Sequence, residues 1–150
     1  MGREGDSLRA VLVAEQLTKG AVVRLRADSH SMTPFVRAGD VVTLEPLRGR
    51  PRLGDVVAVA TADGRLLVHR LIGWQGEQAL TRGDVADHSD APVPLEAVLG
   101  LVTRVERGAR SVRLGPGVER RAIAFLSRAG LLRLLARARE RLRRSVPGPG

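Results

Sequence analysis

Apolar and polar positions change period several times along this chain, and each change marks an element. Leu8, Leu12, Val13 and Leu17 recur at helical spacing, with Asp6 or Ser7 as a cap before them and Lys19-Gly20 as a stop behind. A short helix is expected there, within a segment 1–20. From Ala21 to Ala27 the period drops to two: Val23, Leu25 and Ala27 on one face, Arg24 and Arg26 on the other, as in a half-buried strand. Gly39-Asp40 introduces a second strand, Val41 to Leu44, and Gly54-Asp55 a third, Val56 to Ala60, which is apolar on both faces and so expected at the centre of a sheet. Pro46 to Pro51 reads as an exposed loop between them.

Asp63-Gly64 is the strongest hairpin signal in the chain. As a two-residue loop it joins the third strand to Arg65–Ile72 and sets Ala58 opposite His69. Gln75-Gly76 reads as a second tight turn, returning through Gln78 to Arg82 and setting His69 opposite Arg82. Pro92 and Pro94 mark a loop, Ala97 to Glu106 a further strand, and Arg110 to Leu114 a short one. Many short strands with turn signals between them predict a mainly β domain, a barrel or a sandwich, over residues 21–115.

Pro116-Gly117 breaks this pattern, and Val118 to Ser145 returns to a helical period, with a kink expected at Gly130. Leu131, Leu134, Leu135, Ala138 and Leu142 form a stripe about 100° wide, with Arg133, Arg137, Arg139, Arg143 and Arg144 outside it. The expected domain plan is thus an N-terminal helix, the β domain and a basic amphipathic tail over 116–150, with Val146 to Gly150 a disordered end.

Charge sharpens this division. Residues 1–106 carry 13 basic and 14 acidic side chains, a net −1, whereas residues 107–150 carry 12 and 2, a net +10. The tail therefore holds all of the excess. Its leucine stripe packs on the β domain in one reading. In another, residues 118–145 lie on an anionic membrane surface or contact an acidic partner. Nucleic acid ranks lower, because Phe35, Trp74 and Phe125 are the only aromatics and base stacking needs more. There is no cysteine, the histidines at 30, 69 and 88 lack zinc-type spacing, and no apolar run reaches the roughly 18 residues of a membrane span. No metal or cofactor is expected, and the expected location is cytoplasmic, with the inner membrane face as a peripheral site.

The candidate chemistry sits where a strand ends. Asp28-Ser29-His30-Ser31-Met32-Thr33-Pro34 follows the first strand directly and leads into a proline turn. A hydroxyl is a weak nucleophile until a base takes its proton, and the base works best when a third group fixes its tautomer. Ser31 is expected as nucleophile and His69 as base. The two hairpin registers above put Asp84 on the face that carries His69, within side-chain reach, so Asp84 is the expected orienting carboxylate; a slip of one residue would move the two to opposite faces. Arg70, next to His69, points the other way and reads as structural or exposed. His88 and Asp90 read as surface loop residues.

Ser29-x-Ser31-Met32-x-Pro34, Gly39-Asp40, Gly54-Asp55-Val56-Val57, Val68-His69-Arg70-Leu71-Ile72-Gly73 and Thr81-Arg82-Gly83-Asp84, in this order across residues 21–104, resemble the signal peptidase I and LexA-like serine peptidase superfamily. The resemblance implies a β-barrel or coiled sheet of that type and acyl transfer from a peptide to Ser31, followed by hydrolysis. It matches Ser29 to a serine that helps hold the oxyanion together with the nucleophile's N–H; Met32, the next residue after the nucleophile, reads as a substrate-pocket or core residue and not as a chemical participant. A histidine at position 69 looks like the archaeal and endoplasmic-reticulum signal peptidases, where many relatives keep a lysine. In that branch acidic residues after the Gly-Asp matter, which points to Asp84, Asp87 and Asp90, the first two ranked ahead. Small residues before the cut are the implied preference.

The sequence departs from the family in three respects. His30 stands where glycine is usual, no membrane span precedes the Ser-Met box, and some 20 residues before the first strand are too few for the DNA-binding domain of LexA-like regulators. The expected likeness is to small soluble members. Beside the peptidase stand two alternatives: a peptide-binding or regulatory module that keeps the fold without turnover, and a regulator that binds nucleic acid through its tail.

Overall fold

The computed structural model describes residues 3–112 and, beyond them, Arg137, which is helical and exposed. The rest of the helix expected over 118–145, and the expected end at 146–150, lie outside the described residues.

The chain opens with helix α1 (Arg3–Thr18), longer at its start than the sequence pattern predicts. Glu4 and Asp6 therefore lie inside its first turn, where their charge meets the positive end of the helix dipole. Among the described residues eight strands follow: β1 (Val23–Arg26), β2 (Val41–Pro46), β3 (Val56–Ala60), β4 (Leu66–Gln75), β5 (Gln78–Arg82), β6 (Val93–Pro94), β7 (Val98–Arg107) and β8 (Arg110–Val112). β6 lies where a loop was expected, and a single 3₁₀ turn (Leu95–Ala97) leads from it into β7.

All pairings are antiparallel, in the order β1-β2-β7-β3-β4-β5-β6 with β8 beside β7, and the sheet curls into a half-barrel. β3 is central, as its unbroken apolar run requires. Its residues feed two apolar clusters alternately: Val56 and Ala58 pack with Val13, Leu17, Met32, Val36 and Leu44 inside the curl, Val57 and Val59 with Leu71, Ala79 and Val98 on the other side.

α1 lies across the inner cluster through Ala10, Val13 and Leu17, all buried. Leu8 and Leu12, half of the apolar set read from the sequence, are exposed. The inward stripe at 10, 13 and 17 is roughly half a turn away from them, so the helix is apolar on two faces and only one is covered among the described residues.

Two short motifs repeat in geometry as well as in sequence. In Arg37-Ala38-Gly39-Asp40 the aspartate carboxylate accepts from the Arg37 N–H at 2.8 Å while its own N–H donates to Arg37 O at 3.0 Å. Arg52-Leu53-Gly54-Asp55 repeats both bonds at the same distances. Gly39 and Gly54 take φ of +93° and +90°, a left-handed conformation that glycine adopts without steric cost. Each turn launches a strand, β2 or β3.

Asp40 also receives Arg107 from β7, Nε at 2.9 Å and Nη2 at 2.7 Å, and Arg107 reaches on to Pro34 O. Burial pushes the Asp40 carboxyl up, but the hydrogen bonds from Arg107 and the Arg37 N–H, with both positive charges, outweigh it and hold the group below the ordinary carboxylate range. The same bond raises Arg107.

Both hairpin registers differ from the two-residue loops expected at Asp63-Gly64 and Gln75-Gly76. The first loop is Ala62-Asp63-Gly64, closed by Thr61 N–H to Arg65 O at 2.9 Å, with Gly64 at φ +81° as the left-handed third residue. His69 therefore faces Val57, and Ala58 faces Val68. The second loop is Gly76-Glu77, and a bulge at Ile72 then shifts the register again, pairing Leu71 with Thr81 and Arg70 with Arg82.

Candidate active site

Ser31 sits on a tight turn anchored from below. Thr33 N–H bonds to His30 O, and Phe35 and Val36 N–H both bond to Met32 O at 2.9 Å. Met32 and Val36, each about 2% exposed, plug this turn into the inner cluster. Met32 is thus a core anchor directly beside Ser31.

From β4, His69 reaches the turn: its Nε2 lies 3.1 Å from Ser31 Oγ. Its Nδ1 lies 2.6 Å from Asp90 Oδ2. A carboxylate at that distance is an acceptor, so Nδ1 carries the hydrogen, and Nε2 is left with a lone pair toward the serine hydroxyl. His69 is 7% exposed, so little water competes for either ring nitrogen.

Asp90 is fixed by Thr81 of β5 in two ways. The Thr81 hydroxyl donates to the same Oδ2 at 2.7 Å, and the Asp90 N–H donates to Thr81 O at 2.8 Å. Thr81 pairs with Leu71, two residues from His69, and so stands on the imidazole's face of the sheet. The four side chains form one line: Ser31, His69, Asp90, Thr81.

The carboxylate on the imidazole is thus Asp90, not Asp84 as the sequence registers predict. The one-residue shift of the β4–β5 register described above puts Asp84 on the opposite face, where it takes Arg70. Both oxygens of Asp84 accept from that guanidinium, from Nε and Nη2 at 2.8 Å each, and Arg70 Nη1 donates to Gly54 O. This pair is fully buried, with Arg70 over the Phe35 ring at 5.0 Å. Arg70 faces away from the imidazole, as the alternation predicts, and is wholly internal. Asp87 and His88 are exposed, and the Asp87 backbone carbonyl accepts from Arg82 Nη2 at 3.3 Å.

Neither Asp90 nor Thr81 is singled out by sequence patterning. Asp90 lies in a stretch, His88-Ser89-Asp90-Ala91-Pro92, that reads as plain loop. Its one pointer is the family resemblance, where it ranks third among the acidic candidates.

Around Ser31 the backbone is held on two sides. Its N–H donates to Ser29 Oγ at 3.2 Å, and its carbonyl accepts from Val85 N–H at 3.0 Å. The stretch that carries Val85 begins at Gly83, buried against the serine. His30, directly before the serine, is exposed.

A groove of about 140 Å³ runs beside the serine between β1 and β4. Leu25, Ala27, Met32 and Val68 give it apolar walls, and Ser31 and His69 lie within it. β1 is an edge strand. Ala27 bonds to the β2 side through both its N–H and its carbonyl, so Arg26 O, one residue earlier, faces the open edge. Arg9 of α1 closes that end of the groove, donating to Arg26 O at 2.6 Å and Asp28 Oδ2 at 2.7 Å.

Among the described residues no three His, Cys, Asp or Glu side chains gather as a metal ion would need, and no helix is long and apolar enough to cross a membrane. Compared with known proteins, the chain matches no family model and no curated sequence.

Proposed function

We propose that this protein is a serine endopeptidase of the signal-peptidase-like type, with Ser31 as nucleophile, His69 as general base and Asp90 as the orienting carboxylate. One observation carries the reading: Ser31 Oγ and Asp90 Oδ2 lie on the two nitrogens of one imidazole, 3.1 Å and 2.6 Å away. A buried histidine kept only for packing has no need of a hydroxyl on one side and a carboxylate on the other.

In this reading a peptide pairs with the open edge of β1, and a small side chain before the scissile bond enters the groove. Arg9 gives up Arg26 O as the peptide arrives. Ser31 Oγ attacks the carbonyl carbon as His69 Nε2 takes its proton, and Asp90 stabilises the resulting imidazolium through Nδ1–H. The oxyanion is held by the Ser31 N–H and the Ser29 hydroxyl, two groups that bond to each other in the resting site. His69 then gives its proton to the departing amine. Water, deprotonated by the same nitrogen, releases the acyl group from Ser31.

The test is cleavage of a peptide library with small residues ahead of the cut, by the wild type and by Ser31→Ala and His69→Ala. The expected result is turnover by the wild type and its loss in both variants. Turnover that survives Ser31→Ala overturns the assignment. Peptide binding without turnover by the wild type supports the binding-module reading instead.

A further inference from the structure

The uncovered face of α1 calls for a partner, and the sequence of this chain contains one that fits. Leu8 and Val11 are each 60% exposed and Leu12 is 49% exposed. At about 100° per residue these three share one stripe with Glu4 and Glu15, opposite the buried Ala10, Val13 and Leu17. The exposed stripe is therefore a short apolar strip with a carboxylate toward each end. Among the described residues Glu15 pairs with Lys19, an i,i+4 pair in which both side chains are at least half exposed, so it adds little stability and leaves the acidic end open to a better cation.

We infer that this face is the docking site of the chain's own segment 131–144, whose apolar stripe packs on Leu8, Val11 and Leu12 while its arginines meet Glu4 and Glu15. This inference stands apart from the peptidase assignment and survives its failure.

Three considerations select this occupant. The first is charge: segment 131–144 carries six arginines and one glutamate around Leu131, Leu134, Leu135, Ala138 and Leu142. It offers both apolar surface and positive charge to a strip that presents the complementary pair. An anionic lipid surface, which would attract the same arginines, is repelled by the carboxylates on this strip.

The second is reach. Val112 packs against the inner cluster that Val13 and Leu17 also enter. Eighteen residues separate it from Leu131, enough to span roughly 60 Å when extended. That exceeds the roughly 15 Å radius of gyration of a compact chain this long several times over.

The third is area. Three side chains expose far less than the roughly 1,200–2,000 Å² of total surface that holds separate molecules together. A tethered segment meets its site at an effective concentration in the millimolar range and needs much less. Arg137, helical and exposed, lies outside the leucine stripe of this segment, on the side that docking leaves in water.

The natural absence of cysteine makes the test clean. In the full chain, Val11→Cys is combined in turn with Leu131→Cys, Leu134→Cys, Leu135→Cys or Ala138→Cys, and with Arg137→Cys as the off-stripe control, then oxidised and read by mass spectrometry and non-reducing gels. The expected result is an intramolecular disulfide in at least one stripe pair, formed at least tenfold faster than in the control. Free thiols throughout, or disulfide-linked dimers in place of monomers, overturn the inference. Independently, Leu134→Asp with Leu135→Asp in the full chain is expected to speed amide exchange in residues 8–15 at least fivefold, with β3 and β7 unchanged. Unchanged exchange in α1 overturns it, as does flotation of the full chain with anionic phospholipid vesicles when every stripe pair keeps free thiols.

Discussion

Gly83 lies directly against Ser31. A Cβ at position 83 would stand 2.9 Å from the Ser31 carbonyl oxygen and 3.0 Å from its Cβ, with Ala86 Cβ at 3.3 Å. The first contact is closer than real Cβ atoms come, and it is to backbone, which yields poorly; the other two are tight and need the neighbour to give by a few tenths of an ångström. The glycine of Thr81-Arg82-Gly83-Asp84 is thus needed for close approach. Gly83→Ala should push the serine turn away from His69, lowering kcat roughly 100-fold for a shift near 1 Å. The fold is expected to persist, because the turn remains tied by Met32 and Val36. Peptide turnover beside circular dichroism checks this, and wild-type kcat in the variant would show that the contact is slack.

Asp90 and Asp84 should separate cleanly on mutation. Asp90→Asn removes the negative charge and offers an amide NH2 that can donate to Nδ1 and hold the wrong tautomer, so in the proposed mechanism kcat should fall by roughly 10³–10⁴ with little change in melting temperature. Asp84→Asn leaves Arg70 buried beside a neutral amide. Its cost should appear in stability, about 3–5 kcal/mol, because half of an internal ion pair is then uncompensated. Urea melts and single-turnover kinetics on both variants decide it. The reverse pattern would return the orienting role to Asp84.

Ser29→Ala removes the acceptor of the Ser31 N–H and, in the proposed mechanism, one of two oxyanion donors. A loss of about 10²–10³ in kcat with KM little changed is expected. A change confined to KM would instead make Ser29 a groove residue that binds ground state and transition state alike.

The pair Asp40–Arg107 predicts an acid limb of stability. The folded carboxyl is depressed relative to its unfolded value, near 3.9. The folded state therefore releases this proton more readily, and the stabilisation is complete above the unfolded value. It is lost as pH falls from about 4 through the folded pKa. Urea midpoints between pH 2 and 6 should decline for the wild type over this window and decline less for Asp40→Asn. Identical slopes would remove the linkage.

Much of the fold is legible in the chain because its periods are clean. The two-sided apolar run of β3 makes it central, and the alternation of β1 makes it half-buried. The paired Arg-x-Gly-Asp turns carry their own bonds. Four features escape, each for a physical reason. Hairpin register depends on whether a turn has two residues or three, and Asp63-Gly64 suits either; the bulge at Ile72 leaves no mark in composition. Each net error is one residue, yet the one between β4 and β5 carries Asp84 from one face of the sheet to the other. The helix fails differently: α1 is apolar on opposite sides, so a periodicity test picks up Leu8 and Leu12 as readily as Ala10 and Leu17. Ser31 and His69 are legible as candidates because short motifs surround them, whereas Asp90 sits in a loop, where side-chain pattern has no period to break.

Thr81 belongs to the well-paired part of the sheet, but Asp90, which it holds, sits just ahead of a strand of only two residues, β6, bonded to β5 alone. The fold thus hangs one member of its charge chain from its thinnest margin. On warming, that margin is free to peel while β3 and β7 stay knitted, so the turnover proposed for Ser31 should cease several degrees before the protein melts.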